Sequence, residues 1–245
     1  MRRRRLVIVA VIVALLALGG VGAAYAYFFS GLRTAPRPLA LASASASPSA
    51  PSSSSPAAPT DLTGRWTVAD GSQAGYRVRE QFVGQAGPHE AVARTSAVSG
   101  GFTVEQGPAG LRATGVRIVA DLGQLHSVDQ VAGRDVTQRD RFVSRSLSVQ
   151  QYPQAVFQGE VADLPGALAS GTQAGLDVPG QLTIHGTTRD TTAAVRLQAA
   201  GGRGQAAGSI SIDMRDFGVV PPEVPFTKSE AQVTIEFQLA LARAA

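Results

Sequence analysis

The chain has no cysteine, and that removes three classes of function at once. It can form no disulfide framework, offers no thiol nucleophile and builds no thiolate metal site. Asparagine is also absent, Lys228 is the sole lysine, and only three histidines occur: His89, His126 and His185. Familiar catalytic signatures are missing too. There is no H-E-x-x-H, no G-x-S-x-G and no glycine-rich phosphate loop opening a helix. The glycine-rich run Gly201–Gly208 joins two alternating segments and reads as a turn. His126 and Asp129 offer two metal ligands at most, with no evident third. No catalytic constellation, metal or cofactor is expected.

The acids are missing from one end. No Asp or Glu precedes residue 61, whereas Arg2, Arg3, Arg4, Arg5, Arg33 and Arg37 all do. The formal charge of +4 and the pI near 10.1 therefore belong to the N-terminal segment. From Asp61 onward acids slightly outnumber bases and the two are interspersed, so no basic stripe for nucleic acid is expected.

What is present falls into three regions. Leu6–Phe29 is an uncharged, mostly apolar run behind four arginines. As a helix it would reach about 36 Å, enough to cross a hydrocarbon core of about 30 Å. The arginines predict a cytoplasmic N-terminus, a single pass of the cell membrane and a domain on the extracytoplasmic side. A signal peptide cleaved near Ala26, at Ala24-Tyr25-Ala26, is the alternative, and its product is secreted. Residues 30–60 are rich in Ala, Ser and Pro and predict a disordered, solvated spacer. Residues 61–245 carry the folded domain.

That domain alternates with period two in segment after segment, which predicts an all-β, antiparallel sandwich or barrel. Gln181–Gln198 shows the pattern well: Leu182 and Ile184, a polar Gly-containing break over 186–190, then Val195 and Leu197 in phase. It reads as a hairpin, with His185 facing solvent at the strand end. One stretch departs from the alternation. Val136, Arg139, Asp140, Val143 and Leu147 recur at helical spacing, predicting a helix over about 134–147.

Six short motifs in one order resemble the YceI-like family of polyisoprenoid-binding proteins, over about residues 64–245. They are GRWTVADGSQAGYRVRE (Gly64–Glu80), where the family has a short strand, a Ser and a second strand; VSGGFTV (Val98–Val104); and the series Arg139, Asp140, Phe142, Leu147, Tyr152, Pro153 and Phe157. GQLTIHGTTRD (Gly180–Asp190), RDFGV (Arg215–Val219) and VTIEFQL (Val233–Leu239) complete the set. The anchor and the codon-biased composition are similar to a membrane-anchored, actinobacterial-type member. The resemblance implies a lipocalin-like antiparallel β-barrel of about eight strands with one helix across an opening. It implies an isoprenoid quinone or other long-chain amphiphilic lipid as ligand, carried or sequestered, and no enzymatic activity. Two places depart from the family. The basic residue and His that often follow the second strand are replaced by Glu80, and QFVGQAGPHEAVARTS reads as an elaborated loop.

The residues expected to line such a cavity are the in-phase set. From the first half these are Tyr76, Val78, Glu80, Phe102, Val116 and Ile118. The helix region and the strands after it supply Phe142, Leu147, Phe157, Leu182, Ile184 and Val195. The last strands supply Leu197, Ile210, Ile212, Val233, Ile235 and Phe237. Sequence leaves a filled core and an open one equally possible. Glu80 shares the inward phase, so either its strand ends or bulges first and leaves it at the rim, or it is a polar contact near the mouth. Arg139 and Asp140 read as a pair fixing the helix to the barrel end. Two other readings stay open: an enzyme acting on bound lipid, which needs an ionisable cluster inside the cavity, and a structural or protein-binding barrel with a filled core.

Overall fold

The computed structural model describes residues 33–41, 61–83, 87–131, 135–224 and 227–244. The expected membrane span lies outside them. Among the described residues no helix is long and apolar enough to cross a membrane.

The strands, in chain order, are β1 (Arg33–Thr34), β2 (Gly64–Phe82), β3 (His89–Thr95), β4 (Val98–Gln106), β5 (Leu111–Asp121), β6 (His126–Ser127) and β7 (Gln130–Val131). After helix α1 (Thr137–Ser146) come β8 (Gln154–Val161), β9 (Ala174–Ile184), β10 (Thr187–Ala200), β11 (Arg203–Asp213), β12 (Glu223–Val224) and β13 (Thr227–Arg243). Every pairing is antiparallel, in the order β13-β11-β10-β9-β8-β5-β4-β2, and β13 pairs again with β2. That last pairing closes an eight-stranded barrel, which leaves its member strands no open edge. β3 continues the line of β4 along β2, with Thr67 opposite Gly101 and Ala74 opposite Thr95.

The opening motif is one strand, not two. β2 runs unbroken for 19 residues, and the Asp70-Gly71-Ser72 stretch expected to divide it is a bulge against β13. Gly71 takes φ +88° there. The Ser72 hydroxyl donates to Ala69 O at 2.7 Å and accepts from Ala240 N at 3.0 Å, so a side chain fills the gap in the ladder.

The hairpin turns are tighter than the polarity suggested. β9 ends at Ile184 and β10 starts at Thr187, so His185 and Gly186, with φ +52° and +72°, make the whole turn. Positive φ at both central residues is the geometry that follows strand twist. Thr187–Asp190 are polar because they begin a strand with an outward face. Likewise only Gly201 and Gly202 form the β10–β11 turn, and Arg203–Gly208 belong to β11.

α1 starts at Thr137, later than expected, because Asp135 Oδ1 accepts from Thr137 N at 3.0 Å and from its hydroxyl at 2.6 Å. It lies over one barrel opening, called the mouth below. At the opposite end Leu62, Trp66, Leu164 and Leu168 are buried, with Trp66 Nε1 donating to Leu62 O at 2.8 Å.

Residues 33–41 fall in the stretch expected to be a solvated spacer, yet they lie against the barrel. β1 pairs with β7, and the chain then wraps the outer wall. Pro36 O accepts from Arg77, Arg37 O accepts from Arg94 at 2.6 Å, and Leu39 N donates to Glu236 at 3.1 Å. Beneath this strap Glu236 is bridged by Arg77 (2.7 Å) and Arg94 (2.8 Å), and Arg77 also reaches Glu90 at 2.7 Å. Glu236 and Arg77 point outward and are nonetheless buried, at 2% and 7% exposure. Such charges are tolerated out of water only when paired.

Candidate functional site

Alternate residues of the barrel strands enclose two cavities. The outer one, of about 470 Å³, lies directly under α1. The inner one, of about 150 Å³, lies towards the far end. Ala74, Ala120, Ala155 and Ile235 wall both, so the two chambers meet at a waist made mostly of alanine. A filled core, one of the readings left open by the sequence, is excluded by these volumes. The outer chamber alone falls within the range of about 300–1,000 Å³ usual for small-molecule sites.

Each cavity candidate named from the sequence lies on one of these walls. Tyr76, Val78 and Glu80 of β2 face the outer chamber, with Phe142 and Leu147 from the helix region. Ile184, Ile212 and Val233 complete that group, and Ile235 borders both chambers. Phe102, Val116, Ile118 and Phe157 line the inner chamber. So do Leu182, Val195, Leu197, Ile210 and Phe237. Every residue around the inner chamber is Ala, Val, Ile, Leu or Phe. A wall of that kind favours hydrocarbon and gives water no partner.

The helix stripe lies across the top of the outer chamber. Val136, Arg139, Val143 and Leu147 all contact it. Arg139 is the polar exception. It does not pair with Asp140 as the sequence suggested. Its guanidinium holds Asp129 at 2.7 and 3.0 Å and Glu80 at 3.2 Å. Asp140 instead accepts from Ser127 N and Oγ, at 2.9 and 2.6 Å. Both residues tie α1 to the β6–β7 segment, by separate bonds.

Asp129 is the centre of this cluster, although its residue type and spacing mark it only as half of a weak metal pair. Its carboxylate accepts from Val92 N at 3.0 Å and meets His89 Nε2 at 2.6 Å as well as Arg139. Burial opposes its charge, but the bonds from His89 and Arg139 outweigh that and hold its carboxyl well below the usual range. His89 falls in the stretch expected as an elaborated loop, yet it is part of a strand. It begins β3 and is 4% exposed. Among the described residues no group of acids and histidines is arranged to hold a metal ion.

Glu80 does not sit at a frayed strand end. β2 continues to Phe82, and Glu80 faces inward at 5% exposure. Burial pushes its carboxyl above the usual range; Arg139 opposes that shift, and Asp129 adds to it. Oε1 faces Arg139, while Oε2 has no hydrogen-bond partner among the described residues. Burial likewise pushes the Tyr76 phenol up, so it stays protonated. The outer chamber thus presents one polar corner, Glu80 with Arg139 and Tyr76, in an otherwise largely apolar wall.

His185 is no solvent-facing residue. Nδ1 lies 3.2 Å from Phe217 O, Nε2 lies 3.2 Å from Ser148 Oγ, and the ring stands edge-on to Tyr152. It staples the 3₁₀ turn Met214–Phe217 and the end of the helix region to the β9–β10 hairpin, at the mouth.

Residues 66–241 match the YceI-like domain family. The chain belongs to the YceI-like family. No curated protein matches this YceI-like chain. Solved structures do. A polyisoprenoid-binding domain from Saccharophagus degradans, implicated in plant cell wall breakdown, aligns with a TM-score of 0.52 at 18% identity, over 74% of this chain and 99% of its own. BcnA of Burkholderia cenocepacia is 21% identical, with a TM-score of 0.43, over 67% of this chain and 95% of its own. At these identities the likeness is one of fold. The closed barrel with one helix is therefore a YceI-like architecture, and the Glu80–Arg139–Asp129–His89 cluster is described from this chain alone.

Proposed function

We propose that this YceI-like barrel binds a single isoprenoid-like amphiphilic lipid and carries or sequesters it. The tail passes the alanine waist into the inner chamber, and the head rests at Glu80, Arg139 and Tyr76. The observation that carries the reading is the meeting of a partly polar outer chamber with an inner one walled only by apolar residues. Burial of a prenyl tail contributes roughly 25 cal/mol per Å² before ordering costs. The polyisoprenoid-binding relative from Saccharophagus degradans supports the same ligand class. The apolar run Leu6–Phe29 behind four arginines supports a cell-membrane anchor with the barrel on the extracytoplasmic side. A sparingly soluble ligand would partition into the bilayer beside such a tether.

Organic extraction and mass spectrometry of the full chain, purified from its own host, test this. A stoichiometric prenyl lipid is expected. Repeated recovery of chain without any amphiphile contradicts the reading.

Enzymatic action on the bound lipid has one observation in its favour, the ionisable Glu80–Arg139 pair inside the cavity. Binding is preferred because the Arg139 charge is already paired with Asp129 and Glu80. Prolonged incubation of the chain with its extracted lipid is expected to leave the lipid unchanged, and a time-dependent mass shift would favour the enzyme.

A further inference from the structure

We propose that the strap holds the barrel mouth-down on the bilayer, so that the exposed apolar rim of the mouth touches lipid. The proposal rests on the lipid-binding and anchoring reading above and adds the orientation and the contact surface.

Three independent observations converge on one end of the molecule. The first is the path of the chain. The segment His126–Val131 follows the free edge of β3 towards the mouth, with Arg94 opposite His126, Val128 bonded to Val92, and Asp129 against His89. β7 therefore lies at the mouth, between Asp129, which grips Arg139, and Asp135, which starts α1. β1 pairs with β7, so the strap begins at the mouth. The run expected to span the membrane ends at Phe29, only Ser30–Leu32 before β1. Four residue steps reach at most about 14 Å.

The second observation is that the strap is fixed. Its backbone is bonded to Arg77, Arg94 and Glu236; Arg77 and Glu236 are buried beneath it, and Arg94 is partly covered. Removing the strap would bare paired charges that the outer wall is built to cover. The stretch 30–60 thus does not act as one long leash. Residues 42–60 connect the strap to Asp61, which lies at the far end where β2 begins. Their length cannot carry the mouth away from the membrane.

The third is the rim itself. Among the described residues the large apolar side chains left exposed are Val83 (70%), Phe142 (42%) and Val220 (79%). Each adjoins the outer chamber. Val83 follows Phe82, Val220 follows Val219, and Phe142 itself lines the chamber. Arg145 stacks 4.8 Å over the Phe142 ring and places a cation at the same level. Exposed apolar groups gathered around one opening mark a contact surface, and aromatic and basic groups together suit the headgroup region of a bilayer. A lipid could then pass between membrane and barrel without crossing water.

The absence of cysteine makes the test clean. Single cysteines are introduced at Val83→Cys and Val220→Cys at the mouth, and at Ala200→Cys at the far end. Each full chain is labelled with an environment-sensitive fluorophore and reconstituted in phosphatidylcholine–phosphatidylglycerol vesicles containing a doxyl-lipid quencher. Mouth labels are expected to be quenched severalfold more than the Ala200→Cys label. Inserting a Gly/Ser spacer between Leu32 and Arg33 is expected to reduce mouth quenching towards the far-end level. Equal quenching at both ends, quenching unaffected by the spacer, or a chain that does not stay with the vesicles overturns the proposal. Parallel lipid extraction keeps the two ideas apart: lipid recovered without mouth quenching defeats the orientation alone, and mouth quenching without lipid supports the orientation while defeating carriage.

Discussion

Arg139, on the helix over the barrel mouth, grips the buried carboxylate of Asp129 through two guanidinium nitrogens, at 2.7 and 3.0 Å. The bond joins the lid to the β6–β7 segment and supplies the counter-charge that lets Glu80 face the cavity. Asp129 also receives His89 and a backbone N–H, so it holds three elements together.

Asp129→Asn removes that charge and leaves Glu80 as the remaining ion-pair partner of Arg139. Removal of one partner from a buried ion pair costs about 3–5 kcal/mol. Urea unfolding is expected to show a loss of that order. A loss as small as that of an exposed substitution contradicts the central place given to Asp129.

Glu80 and Asp129 impose opposite pH dependences. The Glu80 carboxyl is raised on folding, so the folded state holds the proton more tightly. Stability therefore falls as pH rises from the ordinary carboxylate value, about 4, through the raised one. Asp129 is lowered, so its contribution is present above about pH 4 and is lost as pH falls below that. Glu80→Gln is expected to flatten the decline of Tm above about pH 4 and to leave the acid limb in place. Identical pH–Tm profiles contradict the assignment. The same variant tests the polar corner, where loss of one hydrogen bond to the lipid head is expected to weaken binding about three- to tenfold. Unchanged affinity removes that role.

Ala155 borders both chambers. Ala155→Leu narrows the waist, so long prenyl amphiphiles are expected to lose about tenfold or more in affinity, equivalent to about 1.4 kcal/mol or more. Analogues short enough for the outer chamber should bind as before. Equal losses for both lengths, with the fold intact by circular dichroism, contradict the two-chamber path.

Gly186 shows why the mouth hairpin is tight. It takes φ +72°, and a Cβ there would approach Tyr152 Cε1 to 2.6 Å. Gly186→Ala is expected to destabilise by about 1–2 kcal/mol from backbone strain alone, before any displacement of Tyr152. A wild-type Tm in this variant contradicts the reading of that turn.

The barrel was legible where physics leaves a period of two. Phe157, Leu182, Val195, Ile210, Ile235 and Phe237 are large, apolar and regularly spaced, and all reach an interior wall. Ala120 and Ala155 keep the inward phase of their strands, but a small side chain carries little hydropathy signal, so nothing in the pattern marks them or Ala74 as the waist. β3 was missed because Gly87-Pro88 precedes it and its residues are buried on both faces, Ala91, Val92 and Ala93 in succession, which erases alternation. With β3 unseen, His89 and Asp129 had no reason to meet. The strap was missed for another reason. It docks through Pro36 O, Arg37 O and Leu39 N, backbone atoms that composition does not describe.

Trp66, the only tryptophan in the chain, stacks on Phe102, which lines the inner chamber. It is therefore a reporter at the floor of the tunnel. The most direct measurement is Trp66 fluorescence during titration of the full chain with prenyl amphiphiles of increasing length, each brominated at the tail end. Quenching is predicted to be weak for short chains and strong once the tail passes the waist. Tight binding with no Trp66 quenching at any length, or no binding at all, contradicts a lipid tail in the inner chamber.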